Sequence, residues 1–502
     1  MNIKILSLML LLCLCSLVLL CQNTELKVVD TAGCNLAINE KISDSEYSLV
    51  STSKAPNWFS CAFTNIDISK ELTFSLCMND NDAVGAAGDV SKWDGLWPVY
   101  TYSEYLNYDT YIYYTKNDDG YWVSSDVFAK EKLTGNGKTP EQTVIPVELA
   151  EEFLSEDGKY WSAWAELQDT HADKGSNTFF MTHQFNSPNV SIAMKYPYCY
   201  DYELEYMTRL EKANIPGIKI NNIGKSIKDH NLYVVEINDP TATAEELKER
   251  RVVLIYANED GDEADSSWVV DGAISYLAKG LLNNDEAVKK ILNEVTFLFI
   301  PLLDPVGWEE CTYGNITKSF NPNDYETTIR DEILYYASFI NDRCGQDYNL
   351  DVIINLHNVE CNEGVNLFSP LIDIKYTDDI FSANSFALSK FSNIKTSMMY
   401  WDVGFVKNRF FGWCSNLWGG LTLLYEINSR YPDNRLNIED MHDMSREFVL
   451  IFDEYLKTEN FEYIYPKIAY QQAKQLKEYL HFHDKMKIPE HLKAYYTLRK
   501  GF

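Results

Sequence analysis

Five short segments after Pro197 consist almost entirely of apolar residues, and they constrain the fold more than any other feature. Strands that are buried on both faces of a sheet have this composition, whereas half-exposed strands alternate apolar and polar residues. The five segments are residues 232–237, 251–256, 295–300, 350–356 and 420–425. Helical patterns lie between them at residues 242–250, 266–281, 286–293 and 325–341. This alternation predicts an α/β domain whose mixed sheet is flanked by helices.

Residues 25–197 have a different pattern, rich in aromatic and β-branched residues in short runs. Asn, Asp and Gly residues separate the runs, as turns do in antiparallel sheets. We therefore expect an antiparallel β-sandwich in front of the α/β domain. The predicted organisation is a signal peptide (1–21), an N-terminal β-sandwich domain (22–195), an α/β domain (196–460) and a helical C-terminal tail (461–502).

Composition and charge exclude several classes of function. Of 502 residues, 46% are hydrophobic, which is enough for sizeable cores and excludes global disorder. Acidic residues outnumber basic ones by 74 to 44, and the net charge is −30. A field this negative repels phosphates and anionic headgroups, so we expect no nucleic-acid partner and no membrane-surface binding. The classes of function that remain are an enzyme and a binding protein. The sequence does not indicate an oligomeric state.

The first residues have the pattern of an export signal. Lys4 precedes an apolar run from residue 5 to residue 20, which is shorter than the ~20 apolar residues of a membrane span and suits a signal peptide. We therefore predict a secreted or cell-surface protein with no further membrane association. Cys21 is a candidate lipid-anchor site, although no small residue precedes it. Eight cysteines follow, an even number that permits disulfides.

Three of the predicted strands are followed by residues that bind metals. In an α/β sheet, chemistry gathers where loops leave the carboxyl ends of the strands. Asp260 and Glu263 follow one strand, His357 ends another, and Glu426 follows a third. Two carboxylates and an imidazole make an acceptable open zinc site. Asp265 is the predicted N-cap of the next helix.

Other interpretations of the acidic loop remain open at this point. A pair of acids three residues apart is common in a chain with 74 acids, and a solvated loop would have the same sequence. Residues 260–265 could also bind Ca²⁺, but they lack the ligand spacing of an EF-hand. Of the remaining histidines, His481 and His483 lie in the tail and fit a solvated helix face.

The residues around Asp260 resemble a known family. Residues 251–277, with their Ser-Ser-Trp and following helix, resemble the zinc-loop region of metallocarboxypeptidases, most closely the cytosolic-carboxypeptidase-like branch, which has H-P-G-E-T-x-S-S-W there. The resemblance extends over about residues 93–430. Its further motifs follow in the family's order at residues 196–204, 223–234, 300–307, His357, 365–368 and Glu426.

The resemblance implies an activity and a set of site residues. One Zn²⁺ per chain is expected, held by Asp260, Glu263 and His357. Glu426 falls at the position of the family's general base, and Asn321 at that of a substrate-binding asparagine. The implied function is hydrolysis that removes C-terminal residues from peptides or proteins through a metal-activated water.

The sequence also departs from the family. Asp260 stands at the position of the family's first zinc histidine. Pro322 stands at the position of the arginine that, in the family, binds the terminal carboxylate of the substrate. The arginine expected near Gly314 is missing; Arg330, Arg409 and Arg430 are the candidate replacements. The alternative function is therefore a catalytically inactive binding or surface protein with the carboxypeptidase fold.

Overall fold

The computed structural model describes most of the chain up to residue 312 and selected elements after it. The described residues are 25–53, 58–78, 89–102, 114–116, 122–124, 160–161, 164–312, 330–344, 350–358, 366–370, 396–398, 410, 421–427, 430–431 and 434–457. The predicted signal peptide, the whole predicted C-terminal tail, Cys21, Asn321, Pro322 and Arg409 lie outside them.

The N-terminal part consists of short strands and one 3₁₀ turn at Val90–Trp93. The strands are β1 (Lys27–Val29), β2 (Leu36–Lys41), β3 (Glu46–Ser51), β4 (Ser60–Thr64), β5 (Leu72–Cys77), β6 (Val99–Tyr102), β7 (Tyr114–Lys116), β8 (Trp122–Ser124), β9 (Tyr160–Trp161), β10 (Ala165–Glu166), β11 (Thr170–Asp173), β12 (Thr178–His183) and β13 (Asn189–Ala193). Ten of them form two five-stranded sheets, ordered β1-β4-β13-β6-β10 and β11-β12-β5-β3-β2.

The two sheets pack face to face through aromatic side chains. Phe63 of β4 stacks on Phe74 of β5 from the other sheet, with ring centroids 4.6 Å apart. Both rings are almost completely buried. The predicted β-sandwich is therefore confirmed, with one difference in pairing: β3 runs parallel to β5, whereas its other neighbour β2 is antiparallel.

The C-terminal part is built on an eight-stranded mixed sheet. Its strands, together with a separate two-stranded ribbon (β22 and β23), are β14 (Ile218–Lys225), β15 (Asn231–Ile237), β16 (Arg251–Ala257), β17 (Val295–Ile300), β18 (Leu350–Asn358), β19 (Asn366–Pro370), β20 (Thr396–Met398), β21 (Leu421–Ile427), β22 (Arg430–Tyr431) and β23 (Asn434–Arg435). The sheet order is β14-β15-β17-β16-β18-β21-β19-β20. The four central strands β17, β16, β18 and β21 are mutually parallel, so their carboxyl ends meet at one edge.

Helices cover both faces of this sheet. They are α1 (Tyr200–Ala213), α2 (Ala244–Glu249), α3 (Ala264–Asn283), α4 (Glu286–Leu292), α5 (Pro305–Glu309), α6 (Asp331–Cys344) and α7 (Ile438–Lys457). Alternate residues of β16 serve the two faces: Val253 and Ile255 belong to the core that includes α3, and Leu254 and Tyr256 to the core that includes α6. This two-sided burial is why the central strands are apolar throughout, and it confirms the predicted α/β fold.

The sandwich contacts the α/β part next to helix α5. The backbone N–H of Gly33 donates to the carbonyl of Glu309 at 3.1 Å, and Trp58 packs against Trp308 with ring centroids 6.4 Å apart. Gly33 has φ +78°, and a Cβ at this position would meet the ring of Trp308. The contact therefore requires glycine on two grounds, backbone conformation and space.

Five cysteines whose side chains the structure describes form no disulfide with one another. They are Cys34, Cys61, Cys77, Cys199 and Cys311. Burial raises the pKa of the Cys61 thiol well above its usual value. None of the disulfides that an even cysteine count permits joins two of these five residues.

Candidate metal centre

The candidate site lies at the carboxyl ends of β16, β18 and β21. Strand β16 ends at Ala257, and a tight loop leads into helix α3, which begins at Ala264. Asn258 turns the chain with φ +59°, a left-handed conformation that asparagine tolerates. Within the loop the N–H of Glu263 donates to the carbonyl of Asp260 at 3.2 Å. The loop thereby turns two acidic side chains toward the end of β18.

A second loop, between β17 and α5, holds this loop in place. Backbone N–H groups of Leu303 and Asp304 donate to the carbonyls of Ala257 and Asn258, each at 3.2 Å. Gly261 lies so close to Gly307 that a Cβ on Gly261 would collide with the Gly307 backbone. The loop between β16 and α3 is therefore fixed by direct backbone contact with the loop between β17 and α5.

The beginning of helix α3 corrects one sequence prediction. The N-cap residue is Glu263 and not Asp265, because the helix begins at Ala264. The Glu263 side chain makes no capping hydrogen bond and is directed at His357 instead. Asp265 lies in the first turn, where its Oδ2 accepts from the side-chain amide of Asn358 at 3.1 Å. This contact ties the helix to the end of β18.

The three predicted ligands converge. Nδ1 of His357 lies 2.7 Å from Oε2 of Glu263 and 3.5 Å from Oδ2 of Asp260. One ligand-type atom of each residue lies within 4.8 Å of the others, and all three side chains are at most 4% exposed. Sequence positions 260, 263 and 357 are thus brought together by the loop after β16 and the end of β18.

The geometry of this trio fits a zinc ion. Ligands at about 2.0–2.2 Å from a tetrahedral Zn²⁺ are roughly 3.3 Å from one another. The two separations from Nδ1, 2.7 and 3.5 Å, lie on either side of that value. The donor set of two carboxylate oxygens and one imidazole nitrogen is also one that zinc accepts. Among the described residues no other group of three acids, cysteines or histidines is arranged in this way.

Glu426 is next to the trio. It lies on β21 directly opposite His357 in the register of the parallel pair, and it is 7% exposed. Neighbouring parallel strands are roughly 4.8 Å apart, so Glu426 borders the site. Its predicted role as general base remains a prediction, as does that of Asn321, which lies outside the described residues.

Arg330, one of the candidate replacements for the missing arginines, is held by acids. Its guanidinium contacts Oδ1 of Asp304 at 3.4 Å and Oε1 of Glu332 at 2.6 Å, and its side chain is 14% exposed. Burial by itself lowers the pKa of Arg330, but the charges of Asp304 and Glu332 outweigh burial and raise it. An arginine paired in this way is not available to a substrate carboxylate. Arg409 and the side chain of Arg430 lie outside the described residues.

Sequence analysis assigned no role to Glu259 and Asn355, which lie behind His357. Nδ2 of Asn355 is 2.8 Å from Nε2 of His357 and donates to Oε2 of Glu259 at 2.9 Å. Neither residue stands out in the sequence, because Glu259 is one of several acids in its loop. Its complete burial and its contacts with Tyr256 of β16 and Asn355 of β18 distinguish it only in three dimensions.

The fold is similar to that of solved metallocarboxypeptidases. The solved metallocarboxypeptidase of Burkholderia cenocepacia covers 86% of this chain with a TM-score of 0.62, and 99% of that structure is matched at 13% identity. A metallocarboxypeptidase of Pseudomonas aeruginosa also covers 86% of the chain, with a TM-score of 0.58 and 11% identity, and 99% of it is matched. Identities this low show the fold alone.

The sequence comparisons point to the same family. Residues 203–350, less than a third of the chain, match the zinc carboxypeptidase family model. The match includes Asp260 and Glu263 and ends before His357 and Glu426. Cytosolic carboxypeptidase 2 of Mus musculus is 22% identical over 276 residues, which are 50% of this chain and 30% of the relative. The human protein of that name is 22% identical over 306 residues, 55% of this chain and 32% of the relative. The chain thus spans about a third of the length of these curated relatives.

These relatives overturn one prediction. We expected a secreted or cell-surface protein, and this prediction is wrong because the curated relatives that the chain matches are cytosolic carboxypeptidases. The apolar run on which the expectation rested lies in residues 1–24, outside the described part. None of the described helices is long and apolar enough to cross a membrane.

Proposed function

We propose that this protein is a metallocarboxypeptidase that hydrolyses the last peptide bond of peptides or proteins. The observation that carries the proposal is the convergence of Asp260, Glu263 and His357 at the carboxyl ends of two parallel strands. Glu426 borders them from the next strand. The family match supports the reaction class, and the site supports the assignment of roles.

Asp260, Glu263 and His357 would hold the Zn²⁺. Bound there, Zn²⁺ would polarise the scissile carbonyl and make a water molecule more acidic. Glu426 is the general base in this proposal: its carboxylate takes a proton from the attacking water and delivers it to the nitrogen of the leaving amine. Its 7% exposure limits competition from bulk water.

The aspartate at position 260 makes this site less positive than the usual one. A zinc ion with two histidines and one glutamate has a formal charge of +1, whereas Asp260, Glu263 and His357 bring that charge to zero. A neutral site polarises a carbonyl less strongly. We therefore expect slow hydrolysis compared with a site that has two histidines.

Peptide hydrolysis tests the proposal. A panel of peptides that vary at the C-terminal residue is incubated with the zinc-loaded protein, and each peptide is also tested with its C-terminus amidated. We expect release of the last residue from free C-termini only, and loss of at least about a hundredfold in kcat in Glu426→Gln, as when a general base is removed. Glu286→Gln, which changes an exposed glutamate on α4, is the matched control and should keep full activity.

A second candidate function is a binding protein that keeps the carboxypeptidase fold without catalysis. The observation that favours it is the pairing of Arg330 with Asp304 and Glu332, which removes one substitute for the missing substrate arginine. Without an arginine fork the terminal carboxylate of a substrate loses a bidentate, charge-assisted contact. Equal background rates in the original protein and in Glu426→Gln would support this second candidate and contradict the first.

A further inference from the structure

Glu259 is a buried carboxylate that the proposed reaction leaves unused. It directly precedes Asp260 and is 0% exposed. Its Oε2 accepts from the hydroxyl of Tyr256 at 3.1 Å and from the amide of Asn355 at 2.9 Å. Its Oε1 accepts from the backbone N–H of Phe410 at 2.6 Å. Burial of a carboxylate is unfavourable unless such donors surround it, so three separate stretches of chain fix this one in place.

The imidazole of His357 lies between two groups of carboxylates. Nδ1 faces the ligand carboxylates of Asp260 and Glu263. On the other edge of the ring, Nε2 is 2.8 Å from Nδ2 of Asn355 and 3.9 Å from Oε2 of Glu259. A histidine that binds a cation through one nitrogen commonly donates its other N–H to a carboxylate or carbonyl, which fixes the ring. Here Asn355 contacts Nε2 directly, and Glu259 holds Asn355 by accepting a hydrogen bond from the same Nδ2.

Glu259 sets the orientation of the Asn355 side-chain amide next to the ring. Because a carboxylate only accepts hydrogen bonds, Asn355 turns Nδ2 toward it. No donor among the described residues reaches Oδ1 of Asn355, although this atom is buried. Ligation through Nδ1 of His357 requires the ring hydrogen on Nε2. Nδ2 of Asn355 cannot accept this hydrogen, so the amide would have to shift aside for the ring N–H to reach Oε2 of Glu259, which is 3.9 Å away.

We propose that Glu259 is a positioning residue that acts with Asn355 to hold the ring of His357 with Nδ1 toward Asp260 and Glu263. The inference rests on the metal site of the proposed function. It adds that the site depends on a carboxylate that contacts neither metal nor substrate.

Cobalt titration tests this role independently of hydrolysis. Co²⁺ binding is followed by visible absorption, and Zn²⁺ affinity by competition, for the original protein and for Glu259→Gln. We expect about 10–100-fold weaker binding in Glu259→Gln, the usual effect of losing such a partner. A double variant, Glu259→Gln with Asn355→Asp, exchanges the amide and the carboxylate. It should regain most of the affinity because it keeps one carboxylate on this side of the ring, now at the position next to Nε2.

Two further variants separate positioning from general damage to the fold. Asp351→Asn also converts a buried carboxyl to an amide, at the other end of β18, and should leave the affinity unchanged. Asn355→Ala removes the link between Glu259 and the ring. It is expected to weaken Co²⁺ binding too, and it replaces Glu259→Gln if that variant does not fold.

Each outcome decides the inference. Unchanged affinity in Glu259→Gln, or no recovery in the double variant, overturns it and leaves the proposed function intact. If the original protein binds no metal, the proposed function fails, and crystal structures of the metal-free original protein and of Glu259→Gln decide the positioning role. A ring of His357 turned away from Glu263 in the variant supports the inference, and an unchanged ring contradicts it.

Discussion

His357 and Glu426 lie directly opposite each other on the neighbouring parallel strands β18 and β21. Sixty-nine positions separate them in sequence, so only the strand pairing makes them neighbours. Parallel pairing places the carboxyl ends of both strands at the same edge, where Asp260 and Glu263 also arrive. The fold thus brings together the three proposed metal ligands and the proposed base at the edge where α/β sheets place their chemistry.

Asp260→His is expected to tighten zinc binding. The substitution restores the ligand set of the family and raises the formal charge of the site by one, so hydrolysis should also rise. We expect an affinity gain on the order of tenfold, about 1.4 kcal/mol, in a zinc competition titration. Asp262→His, which changes an equally buried acid of the same loop, is the control and should give no gain. Unchanged affinity in Asp260→His would show that Asp260 is not a ligand.

Gly261→Ala is expected to weaken both the fold and the site. The new Cβ would collide with the backbone of Gly307, and the two loops would have to move apart. Overpacking of this kind costs about 1–3 kcal/mol, which urea unfolding would show as a lower midpoint. Metal affinity should fall as well, because the loop carries Asp260 and Glu263. Gly175→Ala in the exposed β11–β12 turn is the control; equal effects of both substitutions would refute the role of the Gly261 contact.

Asp351 is expected to make the free energy of unfolding depend on pH. Burial raises the pKa of its carboxyl from 3.8 to about 6, although the N–H donated by Val252 acts in the opposite direction. Because the folded pKa lies above the unfolded one, the stabilisation is complete below about pH 3.8 and is lost as pH rises through about 6.

Urea unfolding of Asp351→Asn and of the original protein at pH 4 and pH 7.5 tests this pH dependence. Since one pKa unit corresponds to about 1.4 kcal/mol, the original protein should lose up to about 3 kcal/mol more than the variant between these two pH values. Glu211→Gln, at an exposed position on α1, is the control. Parallel pH profiles for Asp351→Asn and the original protein would contradict the raised pKa.

The sequence predicted the strands that are buried on both faces and missed elements that are only partly buried. Strand β17 was predicted at its observed bounds, because six consecutive apolar residues have few other interpretations. The edge strand β14 mixes Lys and Asn with Ile and was not predicted. Helix α1 was also missed, although Tyr202, Tyr206 and Leu210 recur at helical spacing on its buried side.

The site likewise contains residues that the sequence identifies and residues that only the tertiary structure reveals. Asp260, Glu263 and His357 were identified because their residue types and the family's order of motifs mark them. Glu259 was not, because its proposed role depends on contacts with Asn355 and Phe410, which lie 96 and 151 residues away in sequence. The pairing of Arg330 with Asp304 is likewise set by tertiary structure, 26 residues apart in sequence.

Zinc stoichiometry tests the account most directly. The full chain is loaded with Zn²⁺, dialysed and analysed by mass spectrometry for metal content, next to His357→Ala treated in the same way. The account predicts one tightly bound zinc per chain in the original protein and a large loss in the variant, because the only imidazole among the three proposed ligands is removed. Absence of stoichiometric zinc before and after loading, or equal zinc content in both proteins, would contradict the metal centre formed by Asp260, Glu263 and His357.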